Sequence, residues 1–223
     1  MKSIWNTSLT LLLAGMMLTS FAGCEKNDDT SNASGTSAEN STEDSYTVTE
    51  SNPEDMDYSL TYESEKIPDD MAKTIAMYFY AIDTQNYNLY LEQIDPLYQE
   101  SMEAFLQEEY GYGMETGLEQ YHQTLVSYAG TDDFTITDME FAQADEVLAE
   151  NFEEDTDFVA EYLNAYSQAF GEEFTAQLQK EAAAIYDIAV TMTGKDGDGN
   201  DVTILSDLEL LVVERDDGYR ILG

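Results

Sequence analysis

One cysteine, one histidine and one tryptophan are all that this 223-residue chain holds of those residue types, and its eight basic residues stand against 47 acidic ones. Each shortage closes off a class of chemistry. The cysteine is Cys24, in the stretch "SFAGCEKNDDT" at residues 20–30. A single thiol leaves no disulfide, and beyond it there is neither a thiolate metal ligand nor a cysteine nucleophile, so stability must come from packing. The histidine, His122, lies beside Tyr121 in a helical pattern and reads as an exposed or half-buried helical residue. No Gly-x-Ser-x-Gly run occurs, so a nucleophilic triad lacks support, and zinc lacks ligands. Trp5 falls in the N-terminal apolar region, which leaves any sugar-stacking site to tyrosines. The scarcity of cations gives a formal net charge of −39; residues 67–223 carry 35 of the acids and 5 of the bases, a net −30 of their own. Nucleic acid and bare anionic lipid are repelled by such a field. Expected partners are cationic or neutral: divalent ions, basic peptides, the positive patch of another exported protein, or a small neutral ligand. The same acidity keeps an exposed protein soluble and monomeric, and a monomer is expected.

What is present begins with a layout of three parts. Lys2 precedes an apolar stretch, Leu9–Leu18, too short to span a bilayer, and small residues follow at Ala22 and Gly23. This is the pattern of a secretory signal peptide over residues 1–23. Phe21-Ala22-Gly23-Cys24 resembles the lipobox of bacterial lipoproteins, in which the cysteine is acylated and becomes the new N-terminus. The resemblance implies lipidation at Cys24 (palmitate among the acyl groups), a membrane anchor through that lipid, and residence on the extracytoplasmic face of the cell membrane. Phe21 replaces the usual leucine three places before the cysteine. Residues 24–66 then read as an acidic tether rich in Ser, Thr and Asn that cannot bury enough apolar surface to order itself. Its 42 residues after Cys24 give a coil a reach of about 35 Å, extended further by charge repulsion.

Residues 67–223 suffice for one domain with a core of its own, and no internal repeat is visible. Pro68, Asp69 and Asp70 suit the start of a helix in which Met71, Ile75, Tyr78, Phe79 and Ile82 recur at helical spacing. Asp95 before Pro96 predicts the cap of a second helix carrying Leu97, Met102, Phe105 and Leu106. A third, Met114 to Tyr128, aligns Met114, Leu118, Tyr121 and Leu125 and ends at Gly130. Residues 134–142 alternate like a strand but slip phase at Asp138, as a bulge would. A helix from about Asp157 to Gly171 places Phe158, Tyr162, Tyr166 and Phe170 four apart, so their rings fan over a broad face. Strand patterns at 183–193, 202–214 and 219–222 close the chain, with "GKDGDGND" and Asp217-Gly218 as hairpin turns. The order predicts an α+β fold: N-terminal helices packed on a curved antiparallel sheet that ends in a C-terminal strand meander.

That order, with the closing "DDGYRIL", resembles the nuclear-transport-factor-two-like superfamily, also called cystatin-like, over most of residues 68–222. In a binding module of this layout, a pocket between helices and concave sheet would be the ligand site, with Tyr78, Tyr121, Tyr162 and Tyr166 as wall residues. Members range from ketosteroid isomerase and polyketide cyclases to binding modules without catalysis, so the fold leaves function open.

Few constellations stand out from the acidic background. Glu108-Glu109, Glu153-Glu154 and Glu172-Glu173 are adjacent acids on polar faces rather than groups whose pKa values are pushed apart. "GYGMETG" at 111–117 is a helix connection that lacks the ending of a phosphate loop. Asp196 to Asp207 matches a calcium loop at its first, third and fifth positions. Asp201 stands where that loop needs glycine, and Asp207 where it needs a longer glutamate. It reads as a hairpin, and neither metal nor cofactor is expected. The reading that follows is a membrane-tethered extracytoplasmic binding or interaction module without catalysis. An isomerase- or cyclase-like enzyme using Asp138 or Asp187 as base is the alternative, and an importer's solute receptor a more distant one.

Overall fold

The structure is a computed structural model that describes residues 47–48, 56–147 and 158–223. The expected signal peptide, Cys24 and most of the tether lie outside the described residues. Among the described residues are six helices and six strands: β1 (Thr47–Val48), β2 (Ser59–Tyr62), α1 (Asp69–Asp83), α2 (Tyr87–Gln93), α3 (Pro96–Glu109), α4 (Met114–Ala129), β3 (Phe134–Glu146), α5 (Phe158–Phe170), α6 (Glu172–Glu181), β4 (Ala184–Asp196), β5 (Asp201–Arg215) and β6 (Gly218–Leu222). The strands form one sheet in chain order, β1 to β6. The fold is α+β, as the element order predicts.

Two features differ from expectation. The sheet is mixed, because β2 pairs with β3 in parallel while every other neighbour is antiparallel. Four helices connect β2 to β3, and a long crossover of this kind is what brings two strands side by side in parallel. The folded part also begins earlier than residue 67. Met56, Tyr58, Leu60 and Tyr62 are all buried, and the Tyr62 hydroxyl donates to Asp69 Oδ1 at 3.0 Å, tying β2 to the first turn of α1. Four large side chains at alternate positions, Leu60 and Tyr62 within the strand and Met56 and Tyr58 before it, are buried together. The polar composition around them conceals that signal.

Residues opposite one another in a ladder share a face. Pairing therefore places Leu60, Tyr62, Met139, Phe141, Val190 and Met192 on one side of the sheet, with Ile188, Leu210, Val212 and Ile221 continuing it. All are buried. Helix α1 packs along β6 and β2, and α4 along β5, with Met71, Ile75, Phe79 and Ile82 of α1 fully enclosed. The expected phase slip in β3 is a register shift between Ile136 and Asp138.

Local signals set the helix ends. Asp95 Oδ1 accepts from the Leu97 and Tyr98 amides at 3.0 and 3.3 Å, and Gly130 closes α4 with a left-handed φ of 73°. "NYNLYLEQ" at 86–93 contains α2, started by the Asn86 side chain, which accepts from the Leu89 amide. Helix α6 has no counterpart in the expectations, since Phe174 and Leu178 are its only buried side chains.

Candidate functional site

The helices bring tyrosines together. Tyr78 of α1 packs on Tyr90 of α2 with ring centroids 5.5 Å apart, and Tyr90 on Tyr121 of α4 at 6.3 Å. Tyr98 of α3 meets Tyr166 and Phe170 of α5 at 6.1 and 5.8 Å, and Phe174 of α6 meets Phe170 at 5.0 Å. Tyr78, Tyr90, Tyr98 and Tyr166 are buried, and Tyr121 is half-buried. Burial pushes the hydroxyls of Tyr78, Tyr90 and Tyr98 well above the ordinary tyrosine value. Tyr121 is pushed up to about 12, burial outweighing hydrogen bonds from Tyr98 and Tyr90. Tyr166 is raised by burial, then by the neighbouring Tyr121 and Asp187. All five therefore stay protonated at neutral pH, and the buried Tyr78 hydroxyl has no hydrogen-bond partner among the described residues. Tyr166 uses its proton on the Leu222 carbonyl, 3.1 Å away.

Of the four expected wall residues, Tyr78, Tyr121 and Tyr166 share this cluster, and Tyr162 lies outside the described side chains. Tyr90 and Tyr98 were not singled out from the sequence. The signal for Tyr98 was present: it precedes Met102 and Leu106 by one and two steps of four, and these three are the buried residues of α3.

The two candidate bases part company. Asp138 is exposed, accepting from Thr137 Oγ1 at 2.7 Å and also from the Ser59 hydroxyl. Asp187 is 9 % exposed, opposite Asp145 and Leu211 in the sheet. Its charge raises Tyr166 and, after burial, Glu209. Asp138, open to water, lacks the enclosed setting that shifts a carboxylate into a proton-transfer role.

A cleft of about 660 Å³ lies at the end of the sheet where α6 stops, α3 starts and β5 turns into β6. Beneath it, Asp95 is fully buried and Arg215 nearly so, at 0 % and 13 % side-chain exposure. Arg215 Nε and Nη2 each lie 2.7 Å from Asp95 Oδ2. One carboxylate thus caps α3 through one oxygen and holds β5 through the other. The Asp95 amide also donates to the Ile221 carbonyl at 2.9 Å, fixing the start of α3 to β6.

At the β4–β5 hairpin the loop's own donors occupy Asp196. Its Oδ1 accepts from the Asp198 and Asn200 amides at 3.0 and 2.7 Å, and its Oδ2 from Asn200 Nδ2 at 2.8 Å. These bonds hold its carboxyl below the usual carboxylate range. Among the described residues no group of three or more metal-ligating side chains is placed to hold an ion. Calcium and magnesium at matched ionic strength are therefore expected to raise the melting temperature equally, by screening. A larger rise with calcium, lost in the Asp196→Asn, Asp198→Asn double variant, would overturn the hairpin reading.

His122 is half-buried on α4, as expected, and its Nδ1 has no hydrogen-bond partner among the described residues. It faces Asp83, which accepts from the Tyr58 hydroxyl at 3.1 Å and whose carboxyl is raised by burial against the lowering effect of Tyr58 and His122.

Compared with models of protein families, with curated proteins and with solved structures, the chain matches none.

Proposed function

We propose that this protein is a lipid-anchored extracytoplasmic binding module, with Cys24 as the acylated residue, an acidic tether after it and a non-catalytic α+β domain at the far end. The observation that carries the binding reading is the tyrosine cluster. It sets hydroxyl donors that stay protonated on rigid rings among apolar neighbours, the surroundings in which a few polar groups orient a small ligand. A proton-transfer enzyme is the second reading, favoured by Asp187, a buried carboxylate beside Tyr166. Against it, the Tyr166 hydroxyl is already engaged by Leu222, so the acid partner nearest that base is occupied. An importer's solute receptor, with two lobes clamping a solute, fits poorly with the single apolar core of the described residues.

The anchor is tested by feeding cells a radioactive fatty acid. The wild-type chain is expected to take up label and to partition into the membrane fraction, and the Cys24→Ser chain to do neither. Label in the serine variant would reject the anchor. The binding half is tested by passing exported proteins and small exported metabolites over the immobilised mature chain. Specific retention that Tyr121→Ala reduces supports the cluster as the site, and retention unaffected by that change moves the site elsewhere.

A further inference from the structure

We infer that the cleft between α6, α3 and the β5–β6 turn binds a compact zwitterion, of amino-acid to tripeptide size, whose carboxylate is held by Arg215 and Lys180. This gives the binding reading a ligand class and rests on that reading, but at a site separate from the tyrosines. Its volume, about 660 Å³, falls within the range of small-molecule pockets.

Charge placement is the first ground. Residues 67–223 contain five basic side chains, and three of them, Lys180, Arg215 and Arg220, line this one cleft. Three acids, Glu181, Asp216 and Asp217, line it too. The guanidinium groups are withdrawn, at 13 % and 24 % side-chain exposure for Arg215 and Arg220. Glu181 and Asp217 are at the rim, 46 % and 73 % exposed. The two guanidinium groups thus lie deeper in the cleft than the acids, while Lys180 stands exposed at its edge.

Unused donors are the second ground. A guanidinium has five N–H groups in a rigid fork. Asp95 holds Arg215 by Nε and Nη2. Nη1 lies 3.6 Å from Glu181 Oε2, beyond hydrogen-bond distance. Arg215 is thus fixed in orientation by a buried carboxylate while one amino group remains without a hydrogen bond among the described residues. Lys180, in the last turn of α6, likewise has no ion pair or hydrogen bond among them. Arg220 is committed to the Tyr219 carbonyl and to Asp217 and acts as wall.

The choice of a zwitterion follows from the field around the site. A bare anion approaches a chain at −39 against repulsion that salt screens only beyond about 8 Å. A zwitterion is neutral overall and escapes that repulsion. Its carboxylate can reach the withdrawn Arg215 and the exposed Lys180 while its ammonium meets Glu181, Asp216 or Asp217 at the rim, the pairing that gives electrostatic complementarity its specificity.

Calorimetry on the mature chain at constant ionic strength, with trialanine, its N-acetyl and C-amide forms and inorganic phosphate, tests the assignment. Trialanine is expected to bind with a dissociation constant below about 1 mM. Losing either terminal charge should weaken binding at least about tenfold, as should Lys180→Ala, since a charge-assisted hydrogen bond is removed in each case. Lys180 is exposed and unpaired, so this variant should melt like wild type. Absence of saturable binding in the millimolar range would overturn the proposal. So would phosphate binding as tightly as trialanine, which marks a plain anion site, and so would unchanged affinity in Lys180→Ala. None of these outcomes bears on acylation at Cys24, so the cleft and the anchor stand or fall separately.

Discussion

A chain that begins at Ile67 is expected to lose its cooperative thermal transition, while one that begins at Tyr46 melts with the full mature protein. The first lacks Met56, Tyr58, Leu60 and Tyr62, all buried. Complete burial of a large apolar side chain contributes roughly 1.5–3 kcal/mol, so the four together are worth about 6–12 kcal/mol, close to the whole stability of an ordinary domain. The truncation also strips the ladder from Asp138 to Phe141 and leaves that part of β3 as an open edge, a template for aggregation. Circular dichroism melts of the two chains decide the matter. Equal transition temperatures would show that β2 is an ornament on a domain that starts at α1, the boundary the composition alone suggests.

Replacing Arg215 by methionine is expected to cost about 3–5 kcal/mol, measured by urea denaturation with an unchanged slope. Methionine keeps much of the apolar stem and removes the charge, which strands the Asp95 carboxylate at 0 % exposure with only the Leu97 and Tyr98 amides for company. Desolvation without a counter-ion is what makes breaking a buried pair expensive. Adding Asp95→Asn to the same chain should recover part of the loss, because asparagine still caps α3 through its side-chain oxygen and carries no charge. A loss below about 1 kcal/mol would instead place the pair among surface ion pairs. The Arg215 variant is for this reason unsuited to ligand titrations, whereas Lys180→Ala separates binding from folding.

The parts of this protein that were legible in its sequence are those decided within a few residues. Asp95 ahead of Pro96, Gly130 after the last turn of α4, and the spacing of Met71, Ile75 and Ile82 each carry their own physics, and the chain obeys it. The bulge near Asp138 was visible because a period of two cannot survive an extra residue. Elements that depend on distant partners were not visible. Leu60 and Tyr62 mean little until Met139 and Phe141 stand beside them, nearly 80 residues on. Arg215 and Asp95 are separated by 120 positions, so nothing local announces that the β5–β6 turn and the first turn of α3 share a carboxylate. The tyrosine cluster is intermediate: Tyr78, Tyr121 and Tyr166 follow from helical faces, but Tyr90 and Tyr98 join them only through the packing of α2 and α3.

The strand order has a consequence for where the molecule works. Chain-order pairing puts β1 and β2, which continue the tether, along one margin of the sheet and β6 along the other. Neighbouring strands are about 4.8 Å apart, so five steps separate the two margins by roughly 24 Å before curvature. A lipid on Cys24 would pull on the β1–β2 margin, and the domain would hang from it as a flag hangs from its hoist. The turn between β5 and β6, with Arg215 and Arg220, lies at the fly end, so the anchor proposed at Cys24 would leave that turn on the margin away from the bilayer.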